Sequence, residues 1–540
     1  MATYSSGVLI NIPNPTPQDI INLPRFTSSN IEEIAHDRRV LHQSYLSGKT
    51  RSYEWRLQNL KNLRQLVLDN QERICYAAST DFKAIPLISQ EISQFLNELE
   101  SCMENLASWM KPQNHSSSWS FLGSKAKVIR EPLGTVLVIS PWNFPLLLSL
   151  DPFMGAISAG NCAVLKPSEL TPNLSALFAD LFPKYLDPEC FRVYNGGPEV
   201  ATELLKQKWD HIFYTGNGAI AKIVMRAAAE YLTPVTLELG GKSPAVVDLD
   251  TIDVNNFAKR LYFGKLLNSG QVCVAIDYIL CKPHHVEPII NAFKAIIEEC
   301  LGKEPLKSPY LQKIVNERHL QRLLNLLPTE NNTLDGEIAL GGNYNFTEQK
   351  LEPTIIINPD PENSKIMKEE VFGPILPIIA MDNFSDCFDY IKSHDKPLAS
   401  YLFSNDAKLI SKFTEEISSG GQTINDSIIH VFHPTLPFGG VGSSGIGAYH
   451  AEHTFKLFSH QKGVVQKDWS ATKLDKLKLP PADLSLVKAV SFPKILRPSV
   501  VEVGFATKWW YSLCMTFTWI IIMLKLVYGG NNEGEKVKKD

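Results

Sequence analysis

Cys273 closes the run Asn268-Ser269-Gly270-Gln271-Val272-Cys273, and Glu238 lies 35 positions earlier in Leu237-Glu238-Leu239-Gly240-Gly241-Lys242-Ser243-Pro244. Asn143 sits between prolines in Pro141-Trp142-Asn143-Phe144-Pro145. A thiol can attack an electrophilic carbon, a carboxylate can move protons, and a side-chain amide can hold the resulting oxyanion. Each residue also has an ordinary alternative. A cysteine between two valines is by default a small buried apolar residue. Glu238 could pair with Lys242 at a strand edge, and Asn143 could serve only the turn. The three together, each set among glycines or prolines, favour covalent catalysis.

Two further segments read as places for a phosphorylated cofactor. Asp210 to Ala221 runs strand, glycine turn, helix start, and such a turn can bring N–H groups to a pyrophosphate. By itself the turn is a weak signal, since glycines also serve simply to turn the chain. Lys166-Pro167-Ser168-Glu169 follows an apolar strand. A lysine and a glutamate there can hold ribose hydroxyls, or Ser168 or Glu169 can merely cap a helix.

The elements that must position these residues follow from periodicity. Leu57, Leu60, Leu63 and Val67 recur at helical spacing, and Ile85 to Met110 continues as helix. Lys127 to Ile129 and Thr135 to Ile139 read as strands, the second almost wholly apolar and so central. Strands at Cys162–Lys166, Phe191–Tyr194 and His211–Tyr214 alternate with helices near Leu174–Phe182 and Val200–Lys206. That alternation marks a doubly wound α/β sheet. A second series runs from Ala245 to Ile424 through Asp277–Lys282, Thr354–Ile357 and Ile375–Ala380. The boundary between two α/β domains is placed near Thr236.

Six ordered motifs then make a resemblance plain. Glu131-Pro132-Leu133-Gly134 through Pro145, Lys166–Glu169, Leu237–Pro244, Asn268–Cys273, Glu369-Glu370-Val371-Phe372-Gly373-Pro374 and Leu436 through Gly445 resemble the aldehyde dehydrogenase superfamily over about residues 30 to 465. Thr233-Pro234-Val235-Thr236, Tyr449-His450 and Phe458-Ser459-His460 resemble its class 3, fatty-aldehyde branch, which carries a hydrophobic C-terminal anchor. The resemblance implies a Rossmann-type NAD-binding domain (1–114 with 134–236) and an α/β catalytic domain (237–425). It further implies a small β oligomerisation arm (115–133 with 426–465) and a homodimer.

The resemblance also implies a mechanism. Cys273 attacks an aldehyde, Asn143 and the Cys273 N–H hold the oxyanion, and hydride leaves for the nicotinamide. Glu238 then activates water to hydrolyse the thioester. Trp142, Lys166, Glu169, Gly216, Asn217, Leu239, Glu370 and Phe372 are implied cofactor residues, with Phe438 and His450 towards the substrate. NAD is favoured because Glu169 would repel a 2′-phosphate, although this branch also accepts NADP. Asn217 stands where many members have serine, and Ala221 where many have glycine. Alternatives are a CoA-acylating or aromatic aldehyde dehydrogenase, and an inactive membrane scaffold of the same fold; intact Cys273, Asn143 and Glu238 argue against the last.

Composition sets the bounds. The chain has 540 residues, 44% apolar and 20% charged, with a formal net charge of −4. That is a globular profile with no electrostatic case for nucleic acid. Nine cysteines without a Cys-x-x-Cys pair argue for a reducing compartment and against a zinc site or disulfide framework; no metal is expected. No cleavable secretory signal opens the chain. Residues Trp509–Tyr528 hold one charge, Lys525, over 20 positions, enough for a membrane-spanning helix. Aromatics flank it, and a Pro-rich linker (466–508) with seven basic and three acidic residues from Lys473 to Lys508 precedes it. This predicts a tail anchor, a short tail (529–540) and a catalytic part facing the cytosol. Endoplasmic reticulum, mitochondrial outer membrane and lipid droplet all suit such a tail. The linker is also a candidate gate over the substrate entrance.

Overall fold

The structure is a computed structural model and describes residues 23–115, 124–329, 332–467 and 469. The predicted anchor at 509–528, its linker beyond Trp469 and the tail lie outside the described residues. Among the described residues no helix is long and apolar enough to cross a membrane.

The chain divides into two compact units, 1–113 with 128–463 and 114–127 with 464–540. Described residues of the second lie almost entirely in strands β1 (Gln113–His115), β2 (Ser124–Pro132) and β18 (Ser459–Lys467), which form a three-stranded sheet.

The first unit opens on helices. Tyr53–Asp69 starts where the Ser52 side chain accepts from the Trp55 N–H, satisfying one of the helix's unpaired donors. Ile85–Met110 buries Ile88, Glu91, Ile92, Phe95, Leu99, Cys102 and Leu106. That is one stripe at three- and four-residue spacing, with a carboxylate inside it.

Strands β3 (Thr135–Ile139), β4 (Cys162–Lys166), β5 (Phe191–Val193), β6 (His211–Thr215) and β7 (Val235–Glu238) are parallel and lie in the order β7-β6-β3-β4-β5. Every residue of β3 is buried, as its apolar run and central place require. The order reverses at β3, the position where open α/β sheets bind ligands beyond their strand C-termini. An antiparallel strand, β17 (Gly445–Ile446), closes the far edge on β7.

A second sheet of seven strands follows: β8 (Pro244–Val247), β9 (Tyr278–Cys281), β10 (Glu337–Leu340), β13 (Thr354–Ile357), β14 (Ile375–Ala380), β15 (Ala399–Phe403) and β16 (Gly421–Ile424). Its order is β10-β13-β14-β9-β8-β15-β16, parallel except for the β10 edge. A small hairpin pairs β11 (Tyr344–Asn345) with β12 (Lys350–Leu351). The chain passes from one large sheet to the other between Glu238 and Pro244. The residues predicted to do chemistry therefore stand at strand ends around that passage.

Candidate active site

Glu238 is the last residue of β7, held between Thr215 of β6 and Gly445 of β17. The Gly216 N–H donates to its carbonyl at 3.0 Å. Its side chain is 1% exposed and both carboxylate oxygens lack a hydrogen-bond partner. Lys242 does not pair with it; that ammonium bonds Asp277 and the carbonyls of Ile366 and Glu369. Burial pushes the Glu238 carboxyl well above the usual range, so it is a stronger base than a carboxylate in water.

The helix Val254–Leu266 leads into a tight turn in which Asn268, Ser269 and Gly270 all take left-handed φ values of 51°, 52° and 73°. Such conformations cost energy for residues with a Cβ and survive only when surrounding contacts enforce them. Here they do. The Ser269 hydroxyl donates to the Gln312 carbonyl, and the Gln271 amide donates to the carbonyls of Asn268 (3.0 Å) and Lys313 (3.1 Å). At Gly270 a Cβ would lie 2.3 Å from the Gly373 oxygen, so no side chain fits.

This turn delivers Cys273 in a partly exposed position, unlike its buried neighbours Val272 and Val274. Burial of the sulfur is the largest influence on the thiol and pushes it up to about 12, with the charges of Glu370 and Glu238 adding; the N–H groups of Cys273 and Val274 pull the other way. Asn143 joins the same space through its side-chain amide, which donates to the Gln271 carbonyl at 3.1 Å. The Asn143 carbonyl accepts from Asn268 Nδ2 (3.1 Å) and from Lys83 Nζ (2.5 Å).

Lys83 and its partner Glu91 were not among the residues singled out from sequence. The two are fully buried, 3.1 Å apart, and Glu91 accepts the N–H groups of Leu146 and Leu147 at 3.1 Å each. That carboxylate occupies the N-terminus of the wholly buried helix Leu147–Ala159, where the helix dipole favours negative charge. The legible signal was a glutamate inside an apolar helical stripe.

Further residues surround this centre. Trp142 contacts Phe82, Phe372 and His319, with ring centroids 5.4 to 5.5 Å apart. Glu370 lies against Gly240, where a Cβ would sit 2.6 Å from its carboxylate oxygens. The Leu239 N–H donates to the Ser444 carbonyl at 3.1 Å. Lys166, at the end of β4, donates to Glu169 at 3.3 Å and to the Pro167 carbonyl at 3.1 Å. Neither Ser168 nor Glu169 caps the following helix, whose N-cap is Thr171. Gly216 follows β6, and Asn217 caps the helix Gly218–Ala229 by accepting from the Ile220 N–H. The first turn of that helix is exposed, and nothing lies within 4 Å of a Cβ at Gly218. An open helix N-terminus after β6 and a Lys–Glu pair after β4, on either side of the central β3, fit a dinucleotide.

Phe438 and His450 are 6% and 4% exposed and stack on one another, centroids 5.2 Å apart at 22°. Tyr449, named above only as part of a motif and given no role, bridges Phe438 in the backbone. Burial raises its phenol most, and the charges of Asp151, Glu238 and Cys273 add to the rise.

Glu370 carries a pH-dependent consequence. Burial lifts its carboxyl from 4.5 to about 8, with Asp277 adding and the Gly241 N–H, Lys242 and Arg322 opposing. A group protonated in the fold and ionised in the unfolded chain weakens the fold as pH rises through that window. Glu370→Gln should therefore melt higher than the parent by a margin that widens from pH 4.5 to pH 8. Equal pH slopes in calorimetry would mean that Glu370 is already ionised in the fold.

A doubly wound sheet whose strands lead into an exposed helix N-terminus and a Lys–Glu pair fits a nucleotide-dependent oxidoreductase. Comparison with known proteins narrows this. Residues 5–464 match the model of the Aldehyde dehydrogenase family. "Aldehyde dehydrogenase family 3 member A2" of Pongo abelii is 41% identical over 494 residues, 91% of this chain and 99% of that protein. "Aldehyde dehydrogenase, dimeric NADP-preferring" of Mus musculus is 40% identical, covering 84% of this chain and 98% of its own. The structure titled "Substrate bound state of Staphylococcus Aureus AldH" superposes with TM-score 0.81 at 36% identity, covering 85% of this chain and 99% of that one. The chain belongs to the aldehyde dehydrogenase family, and NAD or NADP is its cofactor.

Proposed function

We propose that this aldehyde dehydrogenase oxidises medium- and long-chain aliphatic aldehydes to carboxylic acids through a covalent intermediate on Cys273. What supports the reading is a partly exposed Cys273 that feels the charge of Glu238, a Glu238 carboxylate with no hydrogen-bond partner, and an Asn143 amide bonded to Gln271, two residues from the thiol.

The steps follow from these groups. Cys273 sulfur, once deprotonated, bonds to the aldehyde carbon, and the carbonyl oxygen becomes an oxyanion. Asn143 Nδ2 carries two N–H bonds; one serves the Gln271 carbonyl, and the second, with the Cys273 N–H, is left for the oxyanion. A bound nicotinamide would supply the hydride acceptor, and loss of hydride from that carbon would turn the Cys273 adduct into a thioester. Glu238 removes a proton from water, the hydroxide adds to the thioester carbon, and the C–S bond breaks to release the acid. Lys166 and Glu169 would hold one ribose and Glu370 the other. Gly216, Asn217 and the helix start at Gly218 would receive the pyrophosphate, and Trp142, Leu239 and Phe372 would lie by the nicotinamide. Phe438 and His450 line the substrate side.

The long-chain specificity and the membrane rest on the class 3 likeness at Thr233–Thr236, Tyr449–His450 and Phe458–His460, and on the uncharged run of 509–524. A long-chain aldehyde partitions into lipid, so an enzyme tethered there by 509–528, facing the cytosol, meets more substrate. The dimer draws on the same likeness and on the relative named dimeric.

One experiment tests this. The full chain and a chain ending at Pro480 are assayed for NADH production against aldehydes of increasing length, with and without CoA. The full chain should favour hexadecanal over short aldehydes, the truncation should lose that preference, and CoA should leave the rate unaltered. A preference for short or aromatic aldehydes sinks the long-chain reading, and CoA-stimulated turnover sinks hydrolysis by Glu238.

A further inference from the structure

Three ionisable side chains meet in the interior away from the thiol. Glu98 comes from the helix Ile85–Met110, Asp151 from the helix Leu147–Ala159, and His450 from the residue before the helix Ala451–Leu457. One potential ligand atom from each lies within 4.8 Å of the other two. Nothing in the reaction sequence above uses Glu98 or Asp151.

The trio differs from an ordinary polar cluster in what it leaves unsatisfied. Asp151 is 1% exposed, and no donor from another residue type reaches its carboxylate oxygens; the hydrogen-bonding neighbour is the Glu98 carboxyl itself. Glu98 Oε2 likewise receives no such donor, while its other oxygen accepts from Gln94 at 3.1 Å. No ion pair of Glu98 or Asp151 with a lysine or arginine is found among the described residues; the sole basic partner is His450, whose Nε2 is 3.7 Å from Asp151 Oδ2. Two buried carboxyls this close need a positive charge or a shared proton between them.

The second histidine-bearing cluster, at Asp250, His284 and His285, has no such demand. There the Asp250 carboxylate already accepts from Lys282 at 2.7 Å and from both imidazoles at 3.1 Å.

We propose that Glu98, Asp151 and His450 form a divalent-metal site, with zinc the ion their two oxygens and one nitrogen suit. Zinc takes carboxylate oxygen and imidazole nitrogen at about 2.0–2.2 Å in tetrahedral geometry, which sets neighbouring ligands ~3.3 Å apart. The 3.7 Å between His450 and Asp151 is already close to that spacing. Glu98, the least buried of the three, supplies the remaining movement on a flexible stem. Metal uptake fixes the His450 ring, which stacks on Phe438, and so couples the site to the proposed substrate wall. The site uses no thiol, which is why cysteine spacing gave no sign of it.

The test uses the full chain carrying Cys273→Ser and His284→Ala, which removes the reactive thiol and the surface cluster as competing ligands. Zinc alone is the probe, counted after equilibrium dialysis by metal analysis. About one equivalent per chain is expected. Asp151→Asn in that background should weaken binding by about tenfold or more. Should Asp151→Asn fail to fold by its melting curve, Glu98→Gln, at a partly exposed position, carries the same expectation. Retention of zinc at parental affinity in the folded variants, or no zinc retained by the parent (a shared proton holding the carboxyls), overturns the proposal.

Discussion

Cys273→Ala is expected to lower NADH production from hexadecanal by about 10⁴-fold or more, since loss of the attacking group in a covalent enzyme costs on that order. Without the sulfur no thioester forms, and water must attack an aldehyde directly. The proposed oxyanion donors, Asn143 and the backbone N–H at position 273, remain, so some residual rate is expected. The fold should not suffer. The loop is stapled by Ser269 and Gln271 side chains, whereas Cys273 is partly exposed and in no disulfide. Cofactor affinity and melting temperature should match the parent. Turnover within tenfold of the parent would remove Cys273 from the chemistry.

Lys83→Met should destabilise the chain by about 3–5 kcal/mol, the usual result of deleting one member of a buried ion pair. The Lys83 and Glu91 side chains are 0% and 2% exposed. Burial pulls Lys83 down and pushes Glu91 up, and each is held back mainly by the other's charge. The ammonium also sits 3.7 Å from the Phe144 ring centroid. Methionine fills the volume and supplies no charge, leaving Glu91 buried against two backbone N–H groups alone. Glu91→Leu added to Lys83→Met should cost less than the two single changes summed, because no orphaned charge remains. The Asn143 carbonyl meanwhile keeps only the Asn268 donor, so kcat should fall with KM nearly unmoved. Urea unfolding checks the first expectation; a loss under about 1 kcal/mol would mean the pair contributes little.

Much of this was legible along the chain because it is local. The all-apolar run Thr135–Ile139 predicts a central strand, and β3 is one, buried at every residue. Cys162–Lys166, Thr354–Ile357 and Ile375–Ala380 begin and end where their composition changes. The segments at Asn143, Glu238 and Cys273 announce themselves through glycine and proline, residues needed where backbone must turn or pack closely. What stayed hidden is non-local. Lys83 reaches Asn143 across 60 positions, and spacing says nothing about such a meeting. Tyr449 looks like core and is core, yet its phenol feels the charges of Glu238 and Cys273. Nor does periodicity reveal the β10 edge, which runs antiparallel in an otherwise parallel sheet.

The seat of Glu238 has a consequence for biosynthesis. β7 would be an open edge without β17, whose Gly445 pairs with Glu238 itself. A chain still emerging from the ribosome exposes Cys273 long before residue 445 leaves the exit tunnel. During that interval Glu238 lacks its Gly445 neighbour, and β7 keeps a bare edge until synthesis is nearly finished.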